Sequence, residues 1–198
     1  MGVFGVNRIG ITVLFSILVL VLSDPGTRSI SKGHSTERPP TAERPTFKEG
    51  HSFTYKNWTG QWTLTYLGEH DGLLLFKHAN PKRSWEIYLT RDLALVRTKG
   101  RGDDIDNTPH AGSLEFPLHA GKTWVHQYTH EMKGSRQAYQ REARAKVVAW
   151  KQVRVPAGTF WAYRVEIENA WVGHGVADET YWYAPEVGFT IKYASQAW

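Results

Sequence analysis

From Ser52 onward the apolar positions recur at every second residue, the period of a half-buried β-strand rather than of a helix. Trp62, Leu64 and Tyr66 alternate with Thr63 and Thr65, Asp71-Gly72 is a tight-turn dipeptide, and Leu74 and Phe76 begin a return strand. Asn80-Pro81 marks the next turn. After it Trp85, Ile87 and Leu89 alternate with Glu86, Tyr88 and Thr90, and Leu93, Leu95 and Arg97 follow, which predicts a meander of short strands. Gly100 to Leu118 loses the alternation and contains three glycines and two prolines, Gly100, Gly102, Gly112, Pro109 and Pro117. This predicts a long loop, and long loops inside compact domains tend to carry function or to move.

The alternation returns in the second half. The strand predicted over 123–132 sets Trp124, His126, Tyr128, His130 and Met132 on one side and Val125, Gln127, Thr129 and Glu131 on the other. Lys133-Gly134-Ser135 turns it into a longer strand, with Tyr139, Ala143, Ala145, Val147 and Ala149 facing in and Gln140, Glu142, Arg144 and Lys146 facing out. Its alanines would suit a helix, but Ala143, Val147 and Trp150 do not form a continuous helical stripe. The least ambiguous stretch is 153–167. There Val155-Pro156-Ala157-Gly158 has the chemistry of a turn, with φ fixed at Pro156, and Trp161, Tyr163, Val165 and Ile167 then share one strand face opposite Arg164, Glu166 and Glu168. Gly173-His174-Gly175 leads to Tyr181-Trp182-Tyr183, and a last turn at 184–188 precedes Phe189, Ile191 and Tyr193. The fold class predicted is all-β: a strongly curved antiparallel sheet or half-open barrel, rich in meanders.

The N-terminal quarter is of another kind. Residues 1–23 pair one basic residue, Arg8, with an uncharged apolar run from Ile9 to Leu22 and the exit Val21-Leu22-Ser23, the three parts of a secretory signal peptide. As a helix the run would be about 21 Å long against a hydrocarbon core of roughly 30 Å, which favours cleavage after Ser23 over permanent spanning; an uncleaved N-terminal anchor is the alternative. Residues 24–50 hold five basic and four acidic residues and four prolines with almost nothing apolar, and are expected to be a disordered linker. Residues 51–198 are then a single β-rich domain, large enough to fold without a staple. The expected organisation is a signal helix, a disordered tether and a β-domain in an exported protein, periplasmic or extracellular, that touches a membrane only through residues 1–23 if they are kept.

Composition removes several classes of function. With no cysteine in the chain there are no disulfides, no thiol catalysis and no thiolate metal site. The formal charge of +5 is mild, and basic residues such as Lys82, Arg97, Arg141 and Lys146 are interspersed with acids, unlike the massed footprint of a nucleic-acid binder. No cofactor is expected.

Three stretches stand in a familiar order: 116–124, Phe-Pro-Leu-His-Ala-Gly-Lys-Thr-Trp; 153–160, Val-Arg-Val-Pro-Ala-Gly-Thr-Phe; and 182–188, Trp-Tyr-Ala-Pro-Glu-Val-Gly. Over residues 110–194 the chain resembles a family of exported bacterial domains of unknown function. The resemblance rests on turn chemistry and aromatic anchors, so it speaks to fold more than to activity. It implies a strongly curved antiparallel sheet or half-open barrel, similar in outline to periplasmic lipoprotein carriers, and it implies no catalytic residue.

Candidate chemistry is sparse. His126 and His130 would share a helical face in the manner of a zinc hydrolase, but on a strand they lie about 13 Å apart, far beyond the ~2 Å reach of two ligands to one ion. Asp103, Asp104 and Asp106 make an oxygen-rich loop that lacks the glycine and bidentate glutamate of an EF-hand. Glu166 and Glu168 share a strand face, and the neighbouring Arg164 makes a cross-strand ion ladder the better reading than a carboxylate pair. No nucleophile elbow, P-loop or dinucleotide fingerprint is present. The reading is therefore a non-catalytic envelope protein that holds a lipid, another apolar molecule, a glycan or an envelope protein partner in an aromatic-lined concavity, with Trp124, Tyr128, Trp161 and Tyr163 as expected wall residues. The alternatives are a metal-dependent hydrolase using His126, His130 and the loop from Asp103 to Asp106, and a scaffold acting through an exposed sheet edge.

Overall fold

In the computed structural model, residues 11–13, 20–21, 39–58, 60–134, 137–171 and 175–197 are described. Two short strands, β1 (Ile11–Val13) and β2 (Leu20–Val21), precede eleven more: β3 (Ser52–Asn57), β4 (Gly60–His70), β5 (Leu73–Ala79), β6 (Ser84–Leu89), β7 (Leu95–Lys99), β8 (Ile105–Thr108), β9 (Thr123–Met132), β10 (Gln137–Val155), β11 (Gly158–Trp171), β12 (Gly175–Ala184) and β13 (Phe189–Ala197). From β3 to β13 each strand pairs antiparallel with the next in the chain, giving one meander sheet that does not close. No described residue is helical, so no helix among them is long and apolar enough to cross a membrane. Only β1 and β2 are described within the expected signal helix. They are extended, pairing with β13 and β3 at the two outer edges, and the rest of that expectation lies outside the described residues.

The turns follow their residues. Asp71 and Gly72, both at positive φ (51° and 75°), join β4 to β5 in a two-residue loop, as a tight hairpin demands. Pro156 and Ala157 do the same between β10 and β11, where Val155 pairs with Gly158. The predicted alternation on β9 is the observed one: Trp124, Tyr128 and His130 are buried, whereas Val125 is 62% exposed. On β10 Ala143, Ala145 and Val147 are buried, and a register shift beside Val148 breaks the strand's regularity. The outward face carries the expected ion ladder, with Arg164 paired to Glu166 and Arg144 Nη1 lying 3.2 Å from Glu168.

Curvature brings the first and last strands of the meander together. The Tyr55 hydroxyl of β3 donates to the Thr190 carbonyl of β13 at 3.2 Å, and the Phe53 and Phe189 rings stack with centroids 4.7 Å apart. Phe47 caps this seam, 5.4 Å from Phe76 and about 6 Å from both Phe53 and Phe189.

Phe47 belongs to a stretch expected to be disordered, and residues 39–50 depart from that expectation. Ala42 is buried and exchanges two backbone hydrogen bonds of 2.8 Å with Leu118, and Arg44 forks onto the Asp92 carboxylate at 2.8 and 3.0 Å. Two apolar anchors and a bidentate ion pair suffice to dock a segment whose average composition is that of a linker. The predicted loop from Gly100 to Leu118 also departs in part, since it contains the short strand β8. Its second part, 109–118, folds over the concave face, where Leu114, Phe116 and Leu118 are buried.

Candidate functional site

The cupped sheet and the 109–118 segment form two adjoining, partly open pockets of similar size and opposite character. The first, about 260 Å³, is lined chiefly by apolar side chains, among them Leu64, Ile87, Leu89, Leu93, Leu114 and Phe189. The second, about 270 Å³, is lined by Asn107, Tyr128, His130, Arg141, Asn169 and Glu179. Leu95, Ser113, Tyr181 and Tyr193 border both, so the two are neighbouring chambers of one interior.

A ladder of rings runs along the apolar chamber. Tyr55 and Trp62 stack at 5.8 Å, Trp62 and His78 at 5.9 Å, and His78 and Trp85 at 3.6 Å, each pair within 16° of parallel, with the Arg83 guanidinium 5.2 Å above Trp85. Cross-strand pairing produces this: Tyr55 faces Trp62 between β3 and β4, and His78 faces Trp85 between β5 and β6. Burial, aided by the charges of Arg101 and Arg83, lowers the His78 pKa to about 4, so the imidazole is neutral at pH 7.

The polar chamber is a belt across five successive strands, β8 to β12. Asn107 on β8 faces His130 on β9, and their side chains meet at 2.8 Å, while the Asn107 amide donates to the Leu95 carbonyl at 3.1 Å. Tyr128 on β9 faces Arg141 on β10 and its hydroxyl lies 3.5 Å from Asn169 Oδ1 on β11. Glu179 on β12 accepts from the Tyr181 hydroxyl at 2.9 Å. Burial raises the Glu179 pKa, partly offset by hydrogen bonds from Tyr181, Tyr193 and Asn169 and by the charge of Arg141. Burial, then Arg141, lowers His130 to about 4. The arrangement mixes donors and acceptors on rigid strands, suited to binding and orienting a polar group.

The expected wall residues divide. Tyr128 lines the polar chamber. Trp124 is buried with its indole N–H donating to the Gly112 carbonyl at 2.9 Å, and Tyr163 is fully buried with its hydroxyl on the Pro40 carbonyl. Trp161 is 44% exposed and stacks on Trp150 at 5.6 Å; Trp124, Tyr163 and Trp161 line neither chamber. The expected metal residues are dispersed. His130 faces the polar chamber, but His126 stacks on His110 at 4.1 Å in the crossing where Gly112 has φ +64° and an added Cβ would come within 2.6 Å of His126. Asp104 caps the Gly100 and Arg101 amides at 3.1 and 2.7 Å, Asp106 pairs with Lys133 at 3.0 Å, and Asp103 packs against Gly134. Among the described residues no three His, Cys, Asp or Glu side chains gather as a metal site.

Arg141, Asn169 and Glu179, which line the polar chamber, are not among the residues expected from the sequence. The signal was there in parity: Arg141 falls between the inward residues Tyr139 and Ala143, Asn169 follows Ile167 by two, and Glu179 precedes Tyr181 by two. A polar side chain at an inward step of three successive strands marks a cavity.

No protein-family model matches the chain, and no curated protein matches it in sequence. Among solved structures it is similar to the hypothetical lipoprotein YmcC from Escherichia coli K12, with a TM-score of 0.52 and 7% sequence identity, over 74% of this chain and 80% of that one. The likeness is one of fold.

Proposed function

We propose that this chain is an exported envelope protein that binds, without transforming, a small molecule bearing an apolar tail inside its cupped sheet. The observation that carries the proposal is the apolar chamber of about 260 Å³ walled by Leu64, Ile87, Leu89, Leu93, Leu114 and Phe189. Protein interiors are close-packed, and an apolar pocket of this size offers a hydrocarbon chain the packing that water does not. Export is supported by the apolar run ahead of the domain, and a place in the envelope by the likeness in fold to a protein described as a lipoprotein.

Calorimetric titration of the full chain with straight-chain alcohols tests this. Each methylene that enters the chamber should add about 0.8 kcal/mol, roughly a fourfold gain in affinity, until the space is full and the series levels off. An affinity that does not change with chain length would refute the reading.

A further inference from the structure

The apolar chamber accounts for only half of the interior. The polar chamber beside it presents one guanidinium, Arg141, and one carboxyl, Glu179, with Asn107, Asn169, Tyr128 and Tyr193 around them. An anionic group placed there would meet Glu179, and a cationic one would meet Arg141. A hydroxyl-rich neutral group meets neither penalty, because each of its hydroxyls both donates and accepts and so can hydrogen-bond to carboxyl, amide and guanidinium groups alike. The tyrosine rings add flat apolar faces of the sort on which the C–H faces of a sugar ring rest. The space also fits: about 270 Å³ is the room of about nine waters at ~30 Å³ each, enough for one sugar ring.

We infer that the polar chamber is a sugar-binding site, and, resting on the proposal above for its neighbour, that the preferred ligand is a glycolipid-type amphiphile with its tail in the apolar chamber and one neutral sugar ring among Arg141, Asn169 and Glu179. Leu95, Ser113, Tyr181 and Tyr193 border both spaces, so a tail in one and a headgroup in the other would meet across these four side chains. Glu179 is the only carboxylate lining this chamber among the described residues, whereas hydrolysis of a glycosidic bond ordinarily takes two flanking carboxyls. The site therefore holds the sugar and leaves the glycosidic bond intact.

The test is a titration of the full chain with four ligands of equal tail, octanol, octyl glucoside, octyl phosphate and octylammonium, together with methyl glucoside, which lacks the tail. Octyl glucoside should bind at least tenfold more tightly than octanol and than either charged analogue, and more tightly than methyl glucoside. Glu179→Gln, which keeps the shape but replaces one carboxylate acceptor with an amide donor, should lower octyl glucoside affinity at least tenfold and leave octanol unchanged. Octanol binding as tightly as octyl glucoside would overturn the sugar site and leave the apolar chamber standing. Tightest binding of octyl phosphate would overturn it in favour of an anion site at Arg141. If methyl glucoside binds as tightly as octyl glucoside, the tail contributes nothing and the site takes free sugars, which overturns the glycolipid assignment.

Discussion

The two chambers enclose almost the same volume, about 260 and 270 Å³, yet one is walled chiefly by carbon and the other by amides, hydroxyls and a pair of opposite charges. They lie in different parts of the same meander. Strands β3 to β7 put Leu64, Ile87, Leu89 and Leu95 on the inner face, whereas β8 to β12 put Asn107, His130, Arg141, Asn169 and Glu179 there. Inward polar groups cost stability unless partnered, and here they partner one another, as Asn107 does His130 and Glu179 does Tyr181, in a belt of five across successive strands. An interior divided into an apolar and a polar half has the division of an amphiphile.

Tyr163 sets the scale for side chains that belong to neither chamber. Fully buried and packed 4.5 Å from the Trp150 ring, its truncation to Ala should cost about 3–5 kcal/mol in urea unfolding, and a loss below about 1 kcal/mol would mean the core is not centred where described.

The histidines of the two chambers come next. His78 and His130 are held neutral by burial, each at about 4, against 6.5 when unfolded. A depressed histidine contributes stability that is fully present above pH 6.5 and is lost as the pH falls toward 4, because the unfolded chain takes up the proton first. For His130 this loss is roughly 3 kcal/mol, and less for the part-exposed His78. His130→Gln should therefore flatten the fall in unfolding free energy between pH 6.5 and 4; an unchanged slope would show that the polar chamber is open enough to hydrate an imidazolium.

Filling one chamber separates it from the other. Ile87→Trp should abolish alcohol binding with a stability change under about 1.5 kcal/mol, since the larger ring enters existing space, and should leave methyl glucoside binding intact. The smallest effect is expected at Trp161, whose removal to Ala should cost about 1 kcal/mol or less because the ring is 44% exposed and lines neither space.

Period-two alternation made the fold class legible, and the turn residues at Asp71-Gly72 and Pro156-Ala157 fixed two hairpins where they were expected. Residues 39–50 were illegible because their docking depends on single contacts, Ala42 on Leu118 and Phe47 on the seam, that a composition average hides. The candidate site was legible only through Tyr128. Large aromatic residues stand out as cavity walls, but Trp124 and Tyr163 fill the core, and the groups that distinguish the polar chamber are a few charged and amide side chains at inward steps, which the apolar alternation does not single out.

A crystal structure of the full chain grown with octyl glucoside tests the central claim most directly. The account predicts the alkyl tail among Leu64, Leu93 and Phe189 and the glucose ring within hydrogen-bonding distance of Arg141, Asn169 and Glu179. A detergent molecule lying on the outer face, with both chambers filled by rearranged side chains, would contradict it.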